Sequence, residues 1–203
     1  MNPKFVLFRL TATLGIAALT ASSALAGSAP EADENSAPAE TSAAPAARHC
    51  VAEIAPVAGN AKESAIGPVS CYASFAAAIA AATDNTVALA SDALPQSINE
   101  ADVTLAATRV IGIDYDGSYY TGGSFVWYAR NIYGCNGGRT YKANMPLSFN
   151  NRLTSTRGFS GCRRNWSYDG YYQTGDWVRC GPNCVYVGSF MNNRASSKRW
   201  TGF

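Results

Sequence analysis

The sequence predicts an all-β domain in its C-terminal half, residues 109–203, built from two copies of one Greek-key-like motif. Nineteen of the twenty-three Phe, Trp and Tyr residues lie after Arg109, so a core of large side chains belongs to this half. Short apolar alternations, such as residues 125–128 and 185–187, are separated by glycine-containing turns, which is the pattern of a sandwich or small barrel. Two different motifs also recur there in the same order.

The chain begins with the pattern of a signal peptide. Lys4 and Arg9 precede an apolar stretch from Leu10 to Leu19, and Ala24-Leu25-Ala26 forms an A-x-A cleavage site. The apolar run is too short and too interrupted by Thr and Ser to read as a membrane anchor. We therefore expect residues 1–26 to be removed, leaving a secreted, extracellular protein with no membrane association.

Two segments separate this leader from the β domain. Residues 27–48 are mostly Ala, Pro, Ser and Glu, with no apolar side chain larger than Ala, which predicts a disordered linker. Residues 49–108 predict a small α/β segment, with a short strand around Val51 and a helix that Ser74 caps and that ends near Asp84. Because this segment has few large apolar side chains, we expect it to pack on the following domain or to act as a pro-like extension.

The formal charge divides along the same boundary. Residues 27–108 carry −8, whereas residues 109–203 carry +8, with four Asp and no Glu against twelve Lys and Arg. A nucleic-acid partner could neutralise such a charge, but the arginines are scattered among the repeats, so this class of partner is not expected. A cell-wall polymer stacked on exposed tyrosines remains an open partner.

The six cysteines follow the predicted leader, and an oxidising destination makes disulfides their expected state. Fifteen pairings exist, and the sequence cannot choose among them. Locality in the chain favours Cys50 with Cys71, Cys135 with Cys162, and Cys180 with Cys184. A zinc cluster is disfavoured because the spacing lacks paired C-x-x-C and the chain contains one histidine, His49.

The internal duplication consists of two motifs. Tyr115-Asp116-Gly117 and Tyr168-Asp169-Gly170 each begin a stretch in which the tyrosine precedes a glycine, Gly122 or Gly175, by seven residues. The segments 150–155 and 192–197 then both read Asn-Asn-Arg-x-Thr/Ser-Ser. The first tyrosine is 35 residues from its asparagine and the second 24, which predicts an insertion around residues 133–138 of copy one.

Each motif has a physical reason. An aromatic ring can pack on a hairpin that folds back on itself, and glycine supplies the backbone conformation that such a turn requires. The second motif clusters amide and hydroxyl oxygens at a turn, and a set of oxygen ligands suits a hard cation such as Ca²⁺. The alternative is that these side chains only cap turns.

These residues resemble the βγ-crystallin superfamily, whose motif pairs an aromatic-x6-Gly hairpin with an Asn/Asp-Asn/Asp-x-x-Ser/Thr-Ser segment. The resemblance covers about Ile111 to Trp200, and it implies a sandwich of two Greek keys with two calcium ions between paired loops. By that resemblance Asn150 and Asn192 orient the loops. The implied ligands are the side chains of Asn151, Thr154, Asn193 and Ser196 and the main-chain carbonyls of Arg152, Arg194, Asp116 and Asp169. Without acidic ligands in the Asn segments, affinity should be weak, about 10⁻⁴ to 10⁻³ M.

The chain is also similar to secreted actinobacterial proteins of this fold that inhibit metalloproteases. This resemblance implies the main alternative function, in which a disulfide-held loop enters a protease cleft in rigid form. The candidate loops are Cys180–Cys184 and the insertion around Cys135. The insertion and the acidic N-terminal segment depart from the family pattern.

Catalysis is not expected. The chain has one histidine, and the cysteines are needed as disulfides, so neither a Ser/His/Asp set nor a catalytic thiol is indicated. Asp116 and Asp169 could in principle form an acid–base pair, but they occupy equivalent hairpin positions, which a structural role explains equally well. The sequence thus predicts a secreted, non-enzymatic protein that we expect to be monomeric, with no cofactor other than weakly bound Ca²⁺.

Overall fold

Two sheets and a short helical cover are seen in a computed structural model that describes residues 48–104, 107–130 and 134–203. The predicted signal peptide and all but the last residue of the predicted linker lie outside the described residues. The helices and strands, in chain order, are β1 His49–Glu53, β2 Ser70–Tyr72, α1 Phe75–Ala82, α2 Glu100–Thr104, β3 Thr108–Tyr115, β4 Ser124–Arg130, β5 Thr140–Asn144, β6 Ser155–Gly158, β7 Arg164–Tyr168, β8 Trp177–Cys180 and β9 Ser197–Thr201.

The C-terminal half folds as two Greek keys that exchange their third strands. The first sheet has the order β2-β1-β4-β3-β6, and the second has the order β5-β9-β7-β8. Strand β5, the third strand of the first key, therefore pairs with β9 of the second key. In return, residues 184–187 of the second key run beside β6, where Thr156 and Cys184 exchange two backbone hydrogen bonds of 2.9 and 3.1 Å. The predicted all-β sandwich of two Greek keys, preceded by a small α/β segment, is confirmed.

The N-terminal segment extends the first sheet and covers its outer face. Strand β1 pairs in parallel with β4 and antiparallel with β2. Helix α1 begins where predicted, since the Ser74 hydroxyl accepts the Ala77 N–H at its first turn. Phe75 and Ile79 on this helix pack on Val126, which points away from the second sheet. Both faces of β4 are thus buried, which explains its nearly continuous apolar sequence.

The core between the sheets contains large aromatic side chains. Trp127 of the first sheet and Trp200 of the second are fully buried, and their ring centroids are 5.4 Å apart. Phe125 and Phe149 pack beside them. The aromatic enrichment of the C-terminal half therefore has the role that its composition predicts.

A fully buried ion pair joins the two sheets within this core. Lys198 Nζ on β9 lies 2.8 Å from Asp114 Oδ1 on β3, and neither side chain is exposed. The Trp127 indole N–H donates to the second Asp114 oxygen at 2.9 Å, and the Thr156 hydroxyl donates to the first at 2.6 Å. Lys198 also donates to Ser167 at 2.9 Å. Burial lowers the pKa of the Lys198 ammonium, while Asp114 opposes that shift.

All three disulfides favoured by locality form. Cys50–Cys71 joins β1 to β2, and Cys135–Cys162 joins the turn before β5 to the turn before β7. Cys180–Cys184 closes a short loop after β8. Among the helices in the described ranges, none is both long and apolar enough to cross a membrane.

Candidate cation sites

The two aromatic-x6-Gly hairpins have the same conformation. Tyr119 and Tyr172 adopt positive φ angles of 54° and 58°, and Gly122 and Gly175 adopt 76° and 77°. A Cβ atom at either glycine would collide with the carboxylate of the preceding aspartate, Asp116 or Asp169. Glycine is therefore required at these turns for space as well as for backbone conformation.

The carboxylates of Asp116 and Asp169 are fully occupied within their own motifs. One oxygen of Asp116 accepts the Gly123 N–H at 2.6 Å, and the other contacts the Arg152 guanidinium at 2.5 Å. Asp169 makes the same contacts with the Asp176 N–H, at 2.8 Å, and with Arg194, at 2.7 Å. The two arginines thus neutralise the aspartates by side chain. The main-chain carbonyls of these two arginines and two aspartates remain candidates for the ligand roles that the resemblance implies.

The Asn-Asn-Arg segments pair with each other about a local two-fold axis. The Asn151 N–H donates to the Ala195 carbonyl at 3.0 Å, and the Asn193 N–H donates to the Leu153 carbonyl at 2.9 Å. Both asparagines have positive φ angles, 57° and 56°, which asparagine tolerates better than most residues. The segments lie 42 positions apart in the sequence but form one structural unit.

This pairing brings the predicted side-chain ligands together in two clusters, each with one residue from each motif. In the first cluster the Ser196 hydroxyl lies 3.3 Å from Asn151 Oδ1. In the second, the Thr154 hydroxyl lies 3.4 Å from Asn193 Oδ1. Sequence reasoning identified these four residues, and the structure adds which asparagine faces which hydroxyl.

The oxygen spacing in both clusters fits a calcium ion. Hydrogen bonds from hydroxyls to oxygen usually span about 2.5–3.0 Å, so contacts of 3.3 and 3.4 Å are long for that purpose. Two oxygens bound to one Ca²⁺ at 2.3–2.6 Å and at right angles would lie about 3.3–3.7 Å apart. The observed distances fall within this range.

Main-chain oxygens are also free at the positions that the resemblance implies. Within the described ranges, no backbone N–H donates to the carbonyls of Arg152, Arg194, Asp116 or Asp169. By contrast, the carbonyls of Thr154 and Ser196 accept hydrogen bonds from Val187 and Met145. The four unpaired carbonyls remain available for a cation. The residues present therefore fit the proposed ion.

Two serines that the sequence reasoning did not include fix the clusters in place. Ser155 Oγ accepts the Tyr120 N–H at 3.0 Å and donates to the Gly117 carbonyl at 2.6 Å. Ser197 repeats these contacts with Gln173 and Gly170 at 2.9 and 2.6 Å. Their position as the last residue of each repeated segment was the available signal. They tie each Asn segment to its own hairpin.

Asn150 and Asn192 occupy equivalent positions at the start of the two segments. Their backbone N–H groups donate to the carbonyls of Pro146 and Gly188 at 2.8 and 2.9 Å, which closes the turn before each cluster. In the part of the chain that the structure describes, their side-chain oxygens are buried without a hydrogen-bond partner. Their orienting role stays a prediction.

Carboxylates do not form a metal site elsewhere in the described ranges. There, no group of three or more His, Cys, Asp or Glu side chains is placed to hold a metal ion. The two clusters described above consist instead of amide and hydroxyl oxygens.

The one histidine of the chain contacts a serine, and both side chains are buried. His49 Nδ1 lies 3.0 Å from Ser124 Oγ, a distance that would suit a nucleophile and its base. Ser124 is fully buried, however, and His49 is 6% exposed. Burial lowers the pKa of His49, which favours its neutral form.

The loops that the inhibitor hypothesis names are held against the sandwich. In the Cys180–Cys184 loop, the Pro182 carbonyl accepts the Gly158 N–H of β6 at 3.1 Å. Cys135 and Cys162 are each 1% exposed, and the Cys135 N–H donates to the Ser160 carbonyl at 3.0 Å. In copy one, residues 131–139 separate β4 from β5, whereas in copy two only residues 181–183 separate β8 from the 184–187 segment, so copy one is longer here, as the predicted insertion requires. Residues 131–133 lie outside the described ranges.

Comparison with known proteins gives two similar solved structures. One is a βγ-crystallin from an archaeon, at 18% identity, covering 45% of this chain and 96% of that one, with a TM-score of 0.33. The other is the βγ-crystallin domain of Abundant Perithecial Protein from Neurospora crassa in the Ca²⁺-bound form, at 14% identity, covering 45% and 88%, also with a TM-score of 0.33. No protein-family model and no curated protein matches the chain. The fold assignment therefore depends on the strand order and exchange described above.

Proposed function

We propose that this chain is an exported, non-enzymatic protein of βγ-crystallin-like fold that binds two calcium ions weakly, one at each oxygen cluster. The observation that carries the proposal is the pairing of Asn151 with Ser196 and of Asn193 with Thr154 at distances of 3.3 and 3.4 Å. The signal-peptide pattern of residues 1–26 supports export.

The electrostatics of the site support weak binding. The aspartates of the two hairpins, Asp116 and Asp169, are paired with Arg152 and Arg194, so their carboxylates are already neutralised. A cation would then be held mainly by neutral oxygens, which suits a dissociation constant of about 10⁻⁴ to 10⁻³ M. Calcium sites of that affinity would respond to the calcium concentrations found outside cells and not to those found inside cells.

Calorimetric titration of Ca²⁺ into chelator-treated protein from Gly27 onward tests the proposal. We expect saturable binding of two ions, and at ten times the dissociation constant each site adds about 1.4 kcal/mol to the free energy of unfolding. Thr154→Arg should remove one site, and Ser196→Arg the other. Ser189→Arg adds the same charge at an exposed position outside the clusters and should retain both sites.

The opposite result has a clear meaning. If no heat and no shift in melting temperature appear up to millimolar calcium, the Asn-Asn-Arg segments are structural turns. Protease inhibition then becomes the first hypothesis, and substitutions in the Cys180–Cys184 loop become the variants to assay against metalloproteases.

A further inference from the structure

The outer face of the second sheet carries a row of basic residues interrupted by one aromatic ring. Strand register places Lys142, Arg199, Trp166 and Arg179 side by side across β5, β9, β7 and β8. Their chain neighbours Tyr141, Trp200, Asn165 and Cys180 are buried. Because side chains alternate along a strand, the row faces outward. We call these four residues the basic row.

The positions beside the basic row extend its chemistry. Arg164 lies next to it on β7, opposite Thr201, and is exposed. Trp177 lies on the other side, opposite Tyr168, and is 57% exposed. An exposed tryptophan on a strand is unusual without a partner, since burial of its ring would remove a large apolar area from water.

In the part of the chain that the structure describes, no carboxylate forms an ion pair with this face. Among the described residues, ion pairs with carboxylates involve Arg130, Arg152, Arg194 and Lys198, and none of these belongs to the row. The acidic groups at its borders are Asp176, just before Trp177, and Glu63, beside Asn144. Among the described residues, the Nε atom of Arg199 is buried and has no hydrogen-bond partner.

One end of the basic row opens into a cleft. The cleft has a volume of about 570 Å³ and is lined by Lys142, Arg199 and Arg139, together with Gly137, Gly138 and residues 56–57 and 59–61. Its lining includes three cations and no acidic residue. The cleft thus continues the positive field of the row around the edge of β5.

The spacing of these groups indicates what they recognise. Neighbouring strands are about 4.8 Å apart, so Arg199 and Arg179 are separated by about 10 Å with Trp166 between them. Arg199 lies over the Trp166 ring at 5.1 Å, which leaves Trp177 as the open ring among the described strand residues of this face. Cations at regular intervals beside one open ring suit a chain of sugars that bear acidic groups. A single-stranded nucleic acid would use several open rings in succession.

We propose that the outer face of the second sheet binds an anionic polysaccharide, with Trp177 stacking on a sugar ring. The acidic groups would be contacted by the cations of this face, which are Lys142, Arg199, Arg179 and Arg164. This binding surface is separate from the calcium clusters. It also gives the +8 charge of residues 109–203 a direct function.

Alginate, a polymer of uronic acids, is the probe for this surface. Binding to the full chain is measured by calorimetry at low salt in EDTA, so that calcium neither bridges nor gels the polymer, with neutral dextran as the comparison. We expect alginate to bind, dextran not to bind, and the alginate affinity to fall as salt rises.

Two variants of equal charge separate a specific surface from general attraction. Arg164→Gln/Arg179→Gln removes two exposed cations from the face and should weaken binding about tenfold. Arg48→Gln/Arg130→Gln removes two cations elsewhere and should change binding less than about twofold. Trp177→Ala should weaken binding by about fivefold or more with an unchanged melting temperature, since fivefold is about the lower end of what a ring stacked on a nucleic-acid base contributes.

Three results would overturn the proposal. The first is the absence of alginate binding at low salt, and the second is an equal loss in the two charge-matched variants. The third is tighter binding of oligo(dT) than of alginate with the same dependence on Trp177, which would make the face a nucleic-acid surface.

Discussion

At the scale of single residues, the sequence did not predict the buried ion pair between Lys198 and Asp114. Lysine is normally a surface residue, and nothing in the residue type predicts that Lys198 is fully buried. The available signal was its position two residues before the buried Trp200, because alternation along a strand puts both on one face. Its carboxylate partner is 84 residues away, which no local pattern could identify.

Removing one member of this pair should be costly. Lys198→Met leaves the Asp114 carboxylate buried without its cation, and we expect the free energy of unfolding to fall by about 3–5 kcal/mol in urea denaturation. The double variant Asp114→Asn/Lys198→Met removes both charges and should lose less. Equal losses in the two variants would contradict a paired role.

His49 should make stability depend on pH. Burial lowers its folded-state pKa below the ordinary value of 6.5, so the unfolded chain binds the proton more readily. The stability is therefore fully present above pH 6.5 and is lost as pH falls from 6.5 through the lowered folded-state pKa. His49→Gln should flatten this loss in urea denaturation at pH 7.5 and 5.5, and an unchanged pH dependence would show that other groups cause it.

At the scale of structural elements, sequence patterns predicted the features that depend on residues close together in the chain. The Ser74 cap and the glycine-ended hairpins depend on neighbours in the chain, and both are confirmed. The three disulfides favoured by locality are also confirmed, although two of them span 21 and 27 residues. The exchange of third strands between the two keys was not predictable, because the alternating pattern of β5 fits either sheet. The side-by-side placement of the asparagine and hydroxyl oxygens depends on that exchange.

Two turn glycines, Gly122 and Gly138, allow the cost of a left-handed backbone to be separated from the cost of a steric collision. Gly122 and Gly138 both have φ of 76°, but a methyl group at Gly122 meets the Asp116 carboxylate, whereas nothing lies within 4 Å at Gly138. Gly138→Ala should lower the free energy of unfolding by about 1–2 kcal/mol, the cost of a left-handed alanine. Gly122→Ala should cost more, and equal values in urea denaturation would show that the collision is relieved freely.

At the scale of the whole molecule, residues 49–104 complete the first sheet. Strand β1 pairs with β4 over five residues, from His49 opposite Ser124 to Glu53 opposite Tyr128. Helix α1 buries Phe75 and Ile79 against the same sheet. The sequence left open whether this segment regulates the C-terminal domain or completes its fold, and we propose that it completes the fold.

A chain beginning at Thr108 tests that proposal. It would expose the edge of β4 and the apolar surface beneath α1, so we expect a lower melting temperature and association that grows with concentration, followed by light scattering. A monomer with the melting temperature of the longer chain would instead show that residues 108–203 form an independent domain.

The most direct test of the account is a calcium titration followed by ¹⁵N–¹H NMR on the protein from Gly27 onward. If the two oxygen clusters bind calcium, amide resonances of residues 150–155 and 192–197 will shift saturably and together. Resonances around the Cys135–Cys162 disulfide, which lies at the other end of β7 from the clusters, will move much less. Shifts confined to other loops, or none up to millimolar calcium, would contradict the assignment of these clusters as calcium sites.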